Sequence, residues 1–173
     1  MNNYLHETPK GIDIAIQRLQ TRLFQLLNWP EIEVYGRVYK NPTEKKGVVP
    51  EAYKGKGEYV DVFTNDRKTA SIFFVDDDSH KSKEGILYTT KLKIVFMIDL
   101  KKAYPSIAHR ADMEAEMDAI KIIRKQKNFL ITDIEKGVKT ALKDFDTESM
   151  LHYDMQPLHV FSVTGDFTYQ ISC

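Results

Sequence analysis

The feature that most constrains the fold is a strict two-residue alternation between Lys91 and Asp99. Leu92, Ile94, Phe96 and Ile98 occupy every second position, and Lys91, Lys93, Val95, Met97 and Asp99 fill the positions between. Successive side chains of a β-strand point to opposite faces of the sheet, so this stretch has one purely apolar face and one mixed face. Such a strand requires partner strands and a layer that covers its apolar face.

An amphipathic helix is predicted to supply part of that layer. Apolar residues recur at spacings of three and four at Ile12, Ile16, Leu19, Leu23 and Leu26 or Leu27. Thr8 suits an N-cap and Pro9 a first turn. The helix should end at Trp29-Pro30, because proline disfavours a helical conformation in the residue before it.

Three further β segments are predicted at 31–39, 59–63 and 70–75, which are rich in β-branched and aromatic residues, and the first of them has a period of two. Polar connections at 64–68 and 76–85 separate the later strands. A last β segment at 159–164 continues through Gly165-Asp166 into 167–171, either as a hairpin or as one bulged strand. Together these runs predict an antiparallel sheet.

Two more helices are predicted after the sheet, separated around Asn128. Met113, Met117 and Ile120 mark the first, and the two methionines are expected in the core because methionine fills irregular gaps. The second opens with the capping-box pattern 132–135 and continues to Phe145. The predicted fold class is therefore α+β: an antiparallel sheet packed on one face by an N-terminal helix and a C-terminal helical pair, closed by a β-strand.

Composition favours one domain that spans 1–173. Hydrophobic residues make up 42% and charged residues 29% of 173 residues, as in ordinary globular proteins. The 25 basic and 25 acidic side chains cancel, so charge-driven contacts must be local. The single cysteine, Cys173, excludes an intramolecular disulfide and indicates a reducing compartment. No signal-peptide pattern or run of about 20 apolar residues is present, so no membrane partner is expected.

The sequence contains no recognisable catalytic signature. It has no glycine-rich nucleotide motif and no nucleophile elbow, and its five histidines lack metal-binding spacing. Glu58, Asp61 and the 76–78 aspartates near strand ends could hold a divalent cation for phosphodiester cleavage, which makes a metal-dependent nuclease or phosphodiesterase an alternative function. The prediction is a protein that is not an enzyme and needs no cofactor.

The segment 40–57 is predicted to be a long basic loop. Two prolines and three glycines interrupt it, and loops of this length are uncommon in compact domains unless they have a function or are disordered. The candidate contact residues are Lys40, Lys45, Lys46, Tyr53, Lys54 and Lys56. The segment can contact phosphates without reading bases, reach a neighbouring subunit as an arm, or remain a solvated loop.

The order of predicted elements is similar to that of the tail-terminator and neck-protein family of tailed bacteriophages. The resemblance covers the helix 12–29, the sheet 32–99, the helical return 112–145 and the last strand 159–171, and the chain departs from the pattern by splitting the helical return near Asn128. It implies a homo-oligomeric ring in the neck or tail of a virion, assembled in the host cytoplasm. It also implies contacts with portal, connector or tail proteins, and DNA in the lumen.

The leading hypothesis is therefore a structural ring subunit that acts by self-assembly, with the 40–57 segment touching a neighbour or DNA. Ring contacts of this kind are heterologous, so one surface must match a different surface of the next copy. Two alternatives to the ring subunit remain: the metal-dependent nuclease or phosphodiesterase, and a monomeric interaction module.

Overall fold

The computed structural model describes residues 4–45 and 47–171; Lys46 and Cys173, both singled out above, lie outside these ranges. Helix α1 spans Ile12–Leu26 and is followed by strands β1 (Ile32–Arg37), β2 (Tyr39–Thr43), β3 (Gly47–Gly55), β4 (Glu58–Asp61), β5 (Ala70–Asp76), β6 (Lys81–Glu84) and β7 (Leu87–Asp99). The chain continues with α2 (Leu100–Ala103), α3 (Asp112–Ile123), β8 (Phe129–Lys136), α4 (Val138–Ala141), a 3₁₀ helix (Glu148–Asp154) and β9 (Leu158–Gln170). The predicted α+β class is confirmed.

The main sheet has the strand order β1-β5-β7-β9-β8, and β6 pairs with the first part of β7. Its pairs are antiparallel except β1 with β5, which is parallel, so the sheet is mixed rather than purely antiparallel. Parallel neighbours need a long crossover between them. Residues 38–69 provide it, and the sequence carries no local signal for such a distant pairing.

Both faces of the main sheet are covered, whereas the prediction placed helices on one face only. On the first face, α1 and α3 pack over the predicted apolar side of β7 and over Phe161, Val163 and Phe167 of β9. On the second face, Phe73, Val95 and Met97 pack against α4 and the small sheet described below. The reason is visible in β5, which is buried at every position, as strands enclosed on both faces are.

The predicted loop at 40–57 is a sheet instead. Strands β2, β3 and β4 form a three-stranded antiparallel sheet, with Tyr39 opposite Glu51 and Tyr53 opposite Tyr59. The glycines that suggested a loop lie at the strand ends, where Gly47, Gly55 and Gly57 have φ of 65°, 103° and 79°. These are left-handed conformations that glycine adopts without steric cost. One side of this small sheet buries Pro50 and Ala52.

The predicted helix from Thr132 is also wrong. Residues 129–136 form β8, which pairs along β9 with a bulge between Ile131 and Asp133, and only α4 is helical in the segment that follows. A capping-box pattern identifies a helix start only when no strand edge competes for the backbone hydrogen bonds. Here β9 offers such an edge.

Helix α3 forms where it was predicted, but it buries a different face. Ala115, Glu116, Ala119, Ile122 and Ile123 are its buried residues, whereas Met113 and Met117 are exposed. Small alanines let the helix approach the sheet closely, so the larger methionines point outward. The predicted core role of the methionines is therefore wrong.

The remaining predictions agree with the structure in outline. Helix α1 ends before Trp29 as expected but begins at Ile12, with Gly11 rather than Thr8 at its N-cap position. The last β segment is one strand, β9, which pairs with β7 from Leu158 to Gln170. Within the described residues, no helix combines the length and apolar character needed to cross a membrane.

Candidate functional site

The basic residues predicted to form one contact loop do not lie together. Lys45 lies at the β2–β3 turn, and Lys54 and Lys56 lie at the far end of β3. At about 3.3 Å per residue, the 9 residues of β3 separate these ends by about 26 Å. Lys40 forms an ion pair with Asp78 at 2.9 Å. The described members of the set are therefore scattered surface lysines rather than one patch.

Tyr53, in contrast, belongs to an aromatic cluster on the outer side of the small sheet. The Tyr59 ring lies 5.3 Å from that of Tyr53 and 5.9 Å from that of Tyr39, and the Arg37 guanidinium sits 5.5 Å from the Tyr39 ring centre. Tyr53 and Tyr59 remain 41% and 45% exposed. Exposed, mutually packed tyrosines are typical of protein interfaces, because they offer a large contact area at a low cost in conformational entropy. We call this surface the tyrosine face.

A second exposed surface is the outer edge of β8. This strand ends the main sheet, and within the described residues no other strand pairs with its free side. Leu130 and Ile134 on β8 are 69% and 43% exposed. A long, partly apolar edge strand presents unpaired backbone N–H and C=O groups, which makes it a template for pairing with another chain. We call this surface the β8 edge.

Helix α3 extends the β8 edge with further apolar area. Lys136 Nζ lies 3.5 Å from Met113 Sδ and 2.9 Å from Glu116 Oε2, so the end of β8 packs beside the first turns of α3. Ile134 lies two residues before Lys136 and pairs with the core residue Val163, which directs its side chain to the α3 side. The exposed methionines and Ile134 therefore belong to the same side of the molecule.

The opposite edge of the main sheet is covered. The side-chain amide of Gln20 donates to the β1 carbonyl of Val34 at 2.8 Å and to the carbonyl of Tyr4 at 3.0 Å. Gly36 of β1 lies against the same Gln20 side chain and the Tyr4 backbone. Gln20 and the segment at Tyr4 thus occupy part of the edge that β1 would otherwise expose, and the two edges of the sheet differ in their capacity to pair.

The acidic residues considered for a metal site are dispersed. Glu58 and Asp61 lie on the exposed strand β4, whereas Asp76 is buried and contacts His80 at 3.1 Å and Arg37 at 3.9 Å. Over residues 4–45 and 47–171, no group of three or more His, Cys, Asp or Glu side chains is arranged to hold a metal ion. The convergence of carboxylates that a metal-dependent nuclease requires is not found in this part of the chain.

The histidines are likewise separated, and His159 has a structural setting. His152 packs on Tyr153, whereas the Nε2 atom of the buried His159 lies 3.0 Å from Glu116 Oε1. Arg110 Nη2 lies 3.4 Å from His159 Nδ1 and also donates to the Leu158 carbonyl. Burial lowers the pKa of His159, and the neighbouring Glu116 partly opposes this shift. The cluster ties α3 to β9 beneath the β8 edge.

Of the surfaces described here, sequence reasoning found Tyr53 but missed the β8 edge. The signal for the edge was hidden, because residues 132–135 carry a helix-start pattern and the exposure of Leu130 and Ile134 depends on where β8 lies in the sheet.

Comparison with protein-family models, characterised proteins and solved structures finds no match to this chain.

Proposed function

We propose that this chain is a structural subunit of a tailed-phage neck or tail, which assembles into a ring around the DNA channel. The proposal combines the resemblance in predicted element order, of which α1, the main sheet, α3 and the last strand are present in the structure, with one structural observation: the main sheet has one open edge, at β8, and one partly covered edge, at β1. Since Gln20 and Tyr4 occupy part of the β1 edge, the β8 edge of one copy is not free to pair along β1 of the next, and a ring has to join the β8 edge to another surface of the neighbouring copy.

Heterologous contact is the geometry from which rings are built. In the proposed ring, the β8 edge of one copy meets a different surface of the next, and the tyrosine face is the candidate for that second surface. Strand β2 leaves the main sheet at β1, at the far side from β8. Four strand spacings of about 4.8 Å separate the two edges by about 19 Å, so one copy can use both at once.

The chemistry of the two surfaces suits a protein partner. An open edge strand offers main-chain hydrogen bonds, and the exposed side chains beside it supply apolar area and specificity. Full burial of an aliphatic side chain contributes about 1.5–3 kcal/mol, so covering the exposed 69% of Leu130 and 43% of Ile134 would contribute about 1–2 and about 0.6–1.3 kcal/mol to association. Met113 and Met117 add flexible apolar contacts that adapt to a partner surface.

The test is the native mass of the purified protein over a concentration series. The wild type should form a discrete oligomer larger than a dimer. The Leu130→Lys/Ile134→Lys variant should need at least a tenfold higher concentration to assemble, because each tenfold change corresponds to about 1.4 kcal/mol and the two contributions sum to at least about 1.7 kcal/mol. Leu26→Lys is the matched control, since Leu26 is an exposed leucine, 56% accessible, at the end of α1.

Two outcomes would contradict the proposal. One is a monomer at every concentration, which would favour the monomeric interaction module. The other is an oligomer that the β8 variant and the Leu26→Lys control weaken equally. Circular dichroism of each variant should match that of the wild type, so that a loss of assembly is separated from a loss of folding.

A further inference from the structure

A basic cleft lies on a surface that neither the sequence patterns nor the proposed subunit contacts involve. It is an open depression of about 750 Å³ between α1, the turn after α3 and the end of β9. Four cationic side chains line it: Arg18 and Arg22 from α1, and Lys125 and Lys127 from the turn. No carboxylate belongs to its lining. We call this surface the basic cleft.

The charges of the basic cleft are not compensated within the described parts of the chain. Elsewhere, cations sit beside carboxylates, as in Arg37 with Asp13 at 3.1 Å and Lys68 with Glu33 at 2.5 Å. None of the four cations of the cleft forms an ion pair with a described residue. In a chain with a net charge of zero, this concentration of one sign creates a strong local field.

The grouping also carries a cost to the isolated subunit. Arg18 and Arg22 lie one helical turn apart, and like charges at this spacing destabilise a helix by about 0.2–0.5 kcal/mol. Lys125 and Lys127 bring further positive charge to the same cleft. An arrangement that repels itself in the free protein is stabilised when an anionic ligand occupies it.

Hydrogen bonds hold part of the cleft in place. Arg22 Nη1 donates to Gln126 Oε1 at 3.1 Å, and Gln126 Nε2 donates to Asn128 Oδ1 at 2.6 Å. Asn128 Nδ2 then donates to the backbone carbonyl of Thr168 in β9 at 2.9 Å. This chain of contacts orients the Arg22 guanidinium and leaves most of its five N–H donors for a ligand. The site is therefore partly organised before binding.

The positive surface continues beyond the cleft. Lys127 and Asn128 also line a neighbouring depression of about 950 Å³, which carries Lys81 and Lys83 from β6. That second depression includes Asp77 and Asp166, of which Asp166 is paired with Lys91 at 3.4 Å. The two depressions share a wall, so cations recur along one groove. A small anion would occupy the cations of one depression, whereas an extended polyanion would contact the cations of both.

We infer that the basic cleft binds the phosphodiester backbone of a nucleic acid without reading its bases. Arginine, lysine, asparagine, glutamine and tyrosine side chains make most contacts of this kind, and all five residue types line the cleft. The role of the contact rests on the proposed function, since a ring around a DNA channel would bring a nucleic acid to its subunits. The binding itself is independent of ring formation and can be measured alone.

The experiment is fluorescence anisotropy with a labelled 30-base-pair DNA duplex of mixed sequence, titrated at several salt concentrations. The test variant replaces Arg18, Arg22, Lys125 and Lys127 with glutamine. It should bind at least thirtyfold more weakly at low salt. The slope of log affinity against log salt should fall by about three to four, because each phosphate contact contributes about 0.9.

The matched control replaces Arg67, Lys101, Lys139 and Lys143 with glutamine. These side chains are exposed, form no ion pair with a described residue and change the net charge by the same amount. The control should lose less than threefold in affinity. Equal losses in the two variants would show that net charge alone drives binding, and would overturn the assignment to the cleft.

Three further arms complete the test. A DNA duplex of a second sequence and an RNA duplex should bind within tenfold of the first duplex, because the backbone phosphates are shared; a larger preference would refute backbone recognition. Poly-glutamate should compete poorly, and competition equal to that of DNA would assign the cleft to an acidic protein partner. No binding of the wild type at low salt would also overturn the inference.

Native mass measurements separate this inference from the proposed function. If the cleft variant keeps the wild-type oligomer but loses DNA binding, the cleft is a nucleic-acid site. If the wild type is monomeric and still binds DNA through the cleft, the ring proposal fails and the inference stands. If the cleft variant loses the oligomer and the wild type does not bind DNA, the cleft is a subunit contact and the inference fails.

Discussion

Replacement of Gly165 by alanine tests how tightly β8 is held against the rest of the sheet. Gly165 lies in β9, opposite Leu92 on one side and Ile131 of β8 on the other. A Cβ atom at this position would lie 2.5 Å from the carbonyl oxygen of Leu130 and 2.7 Å from Phe129 Cζ. Its φ does not lie in the left-handed region, so the cost of the substitution comes from steric overlap of the new methyl group rather than from backbone strain.

The size of the effect follows from these distances. Ordinary contacts of a Cβ atom begin near 3.4 Å, so the Leu130 backbone must move by about 0.9 Å to accept the methyl group. Because that contact is backbone, no side-chain rotation relieves it. Insertion of a methyl group into a packed site costs about 1–3 kcal/mol, and we expect the Gly165→Ala variant in the upper half of that range.

Urea denaturation followed by circular dichroism measures the change in the free energy of unfolding. The matched control is Gly36→Ala in β1, where the new Cβ would meet Gln20 Oε1 at 3.6 Å and the Tyr4 carbonyl oxygen at 3.8 Å, both ordinary contacts. With φ outside the left-handed region, this control should be neutral or stabilised by up to about 1 kcal/mol, because alanine restricts the unfolded chain.

A Gly165→Ala variant whose free energy of unfolding matches that of Gly36→Ala would contradict this prediction. It would mean that β8 does not pack on β9 as described. A stable variant would also remove the structural basis of the proposed contact, because the β8 edge would then not present Leu130 and Ile134 in the described positions.

Two further predictions concern buried ionisable groups. Because burial lowers the pKa of His159 from 6.5, the unfolded chain binds the proton more tightly than the folded chain does. The contribution of neutral His159 to the free energy of unfolding should therefore be complete above about pH 6.5 and decrease as the pH falls below it. Denaturation between pH 8 and 5 should show this slope, and His159→Gln should flatten it. The buried Lys93 ammonium group lies 2.9 Å from the partly exposed Glu135 carboxylate. Glu135→Ala should lower the free energy of unfolding by about 3 kcal/mol because it leaves that ammonium group without its ion-pair partner, whereas Lys93→Met/Glu135→Leu should be near neutral in the same denaturation assay. Equal losses of stability in the two variants would contradict this prediction.

The sequence predicted the elements whose periodicity is local. The stripe of α1 and the alternation of β7 both define faces that the structure buries. In long, strongly periodic segments of this kind, the residue pattern of the segment itself identifies the face that packs against the neighbouring layer. The parallel pairing of β1 with β5 depends on residues far apart in the chain, and no local pattern encodes it.

Two segments were misassigned because one pattern suits two structures. Pro42, Gly47, Gly55 and Gly57 are typical of a loop, but the same residues fit the ends and turns of a small meander. Thr132 to Glu135 fits a helix start, yet β9 is free to pair with it. In both places the tertiary contact decides the outcome, and a single sequence does not contain that contact.

The candidate surfaces were less predictable than the fold. Tyr53 was singled out with the lysines around it, but its ring partner Tyr59 lies on the next strand of the small sheet and becomes a neighbour only through folding. The basic cleft joins α1 to the turn after α3, about a hundred residues further along the chain. Its one local signal was the pair of arginines a turn apart on the polar face of α1.

Electron microscopy of the purified protein, at the concentration where assembly is complete, would show whether the chain forms rings. We expect closed rings with a central channel, in which neighbouring copies meet through the β8 edge of one and a different surface of the next. Two-fold dimers, in which the same surface of both copies meets, or particles that never close around a channel would contradict it.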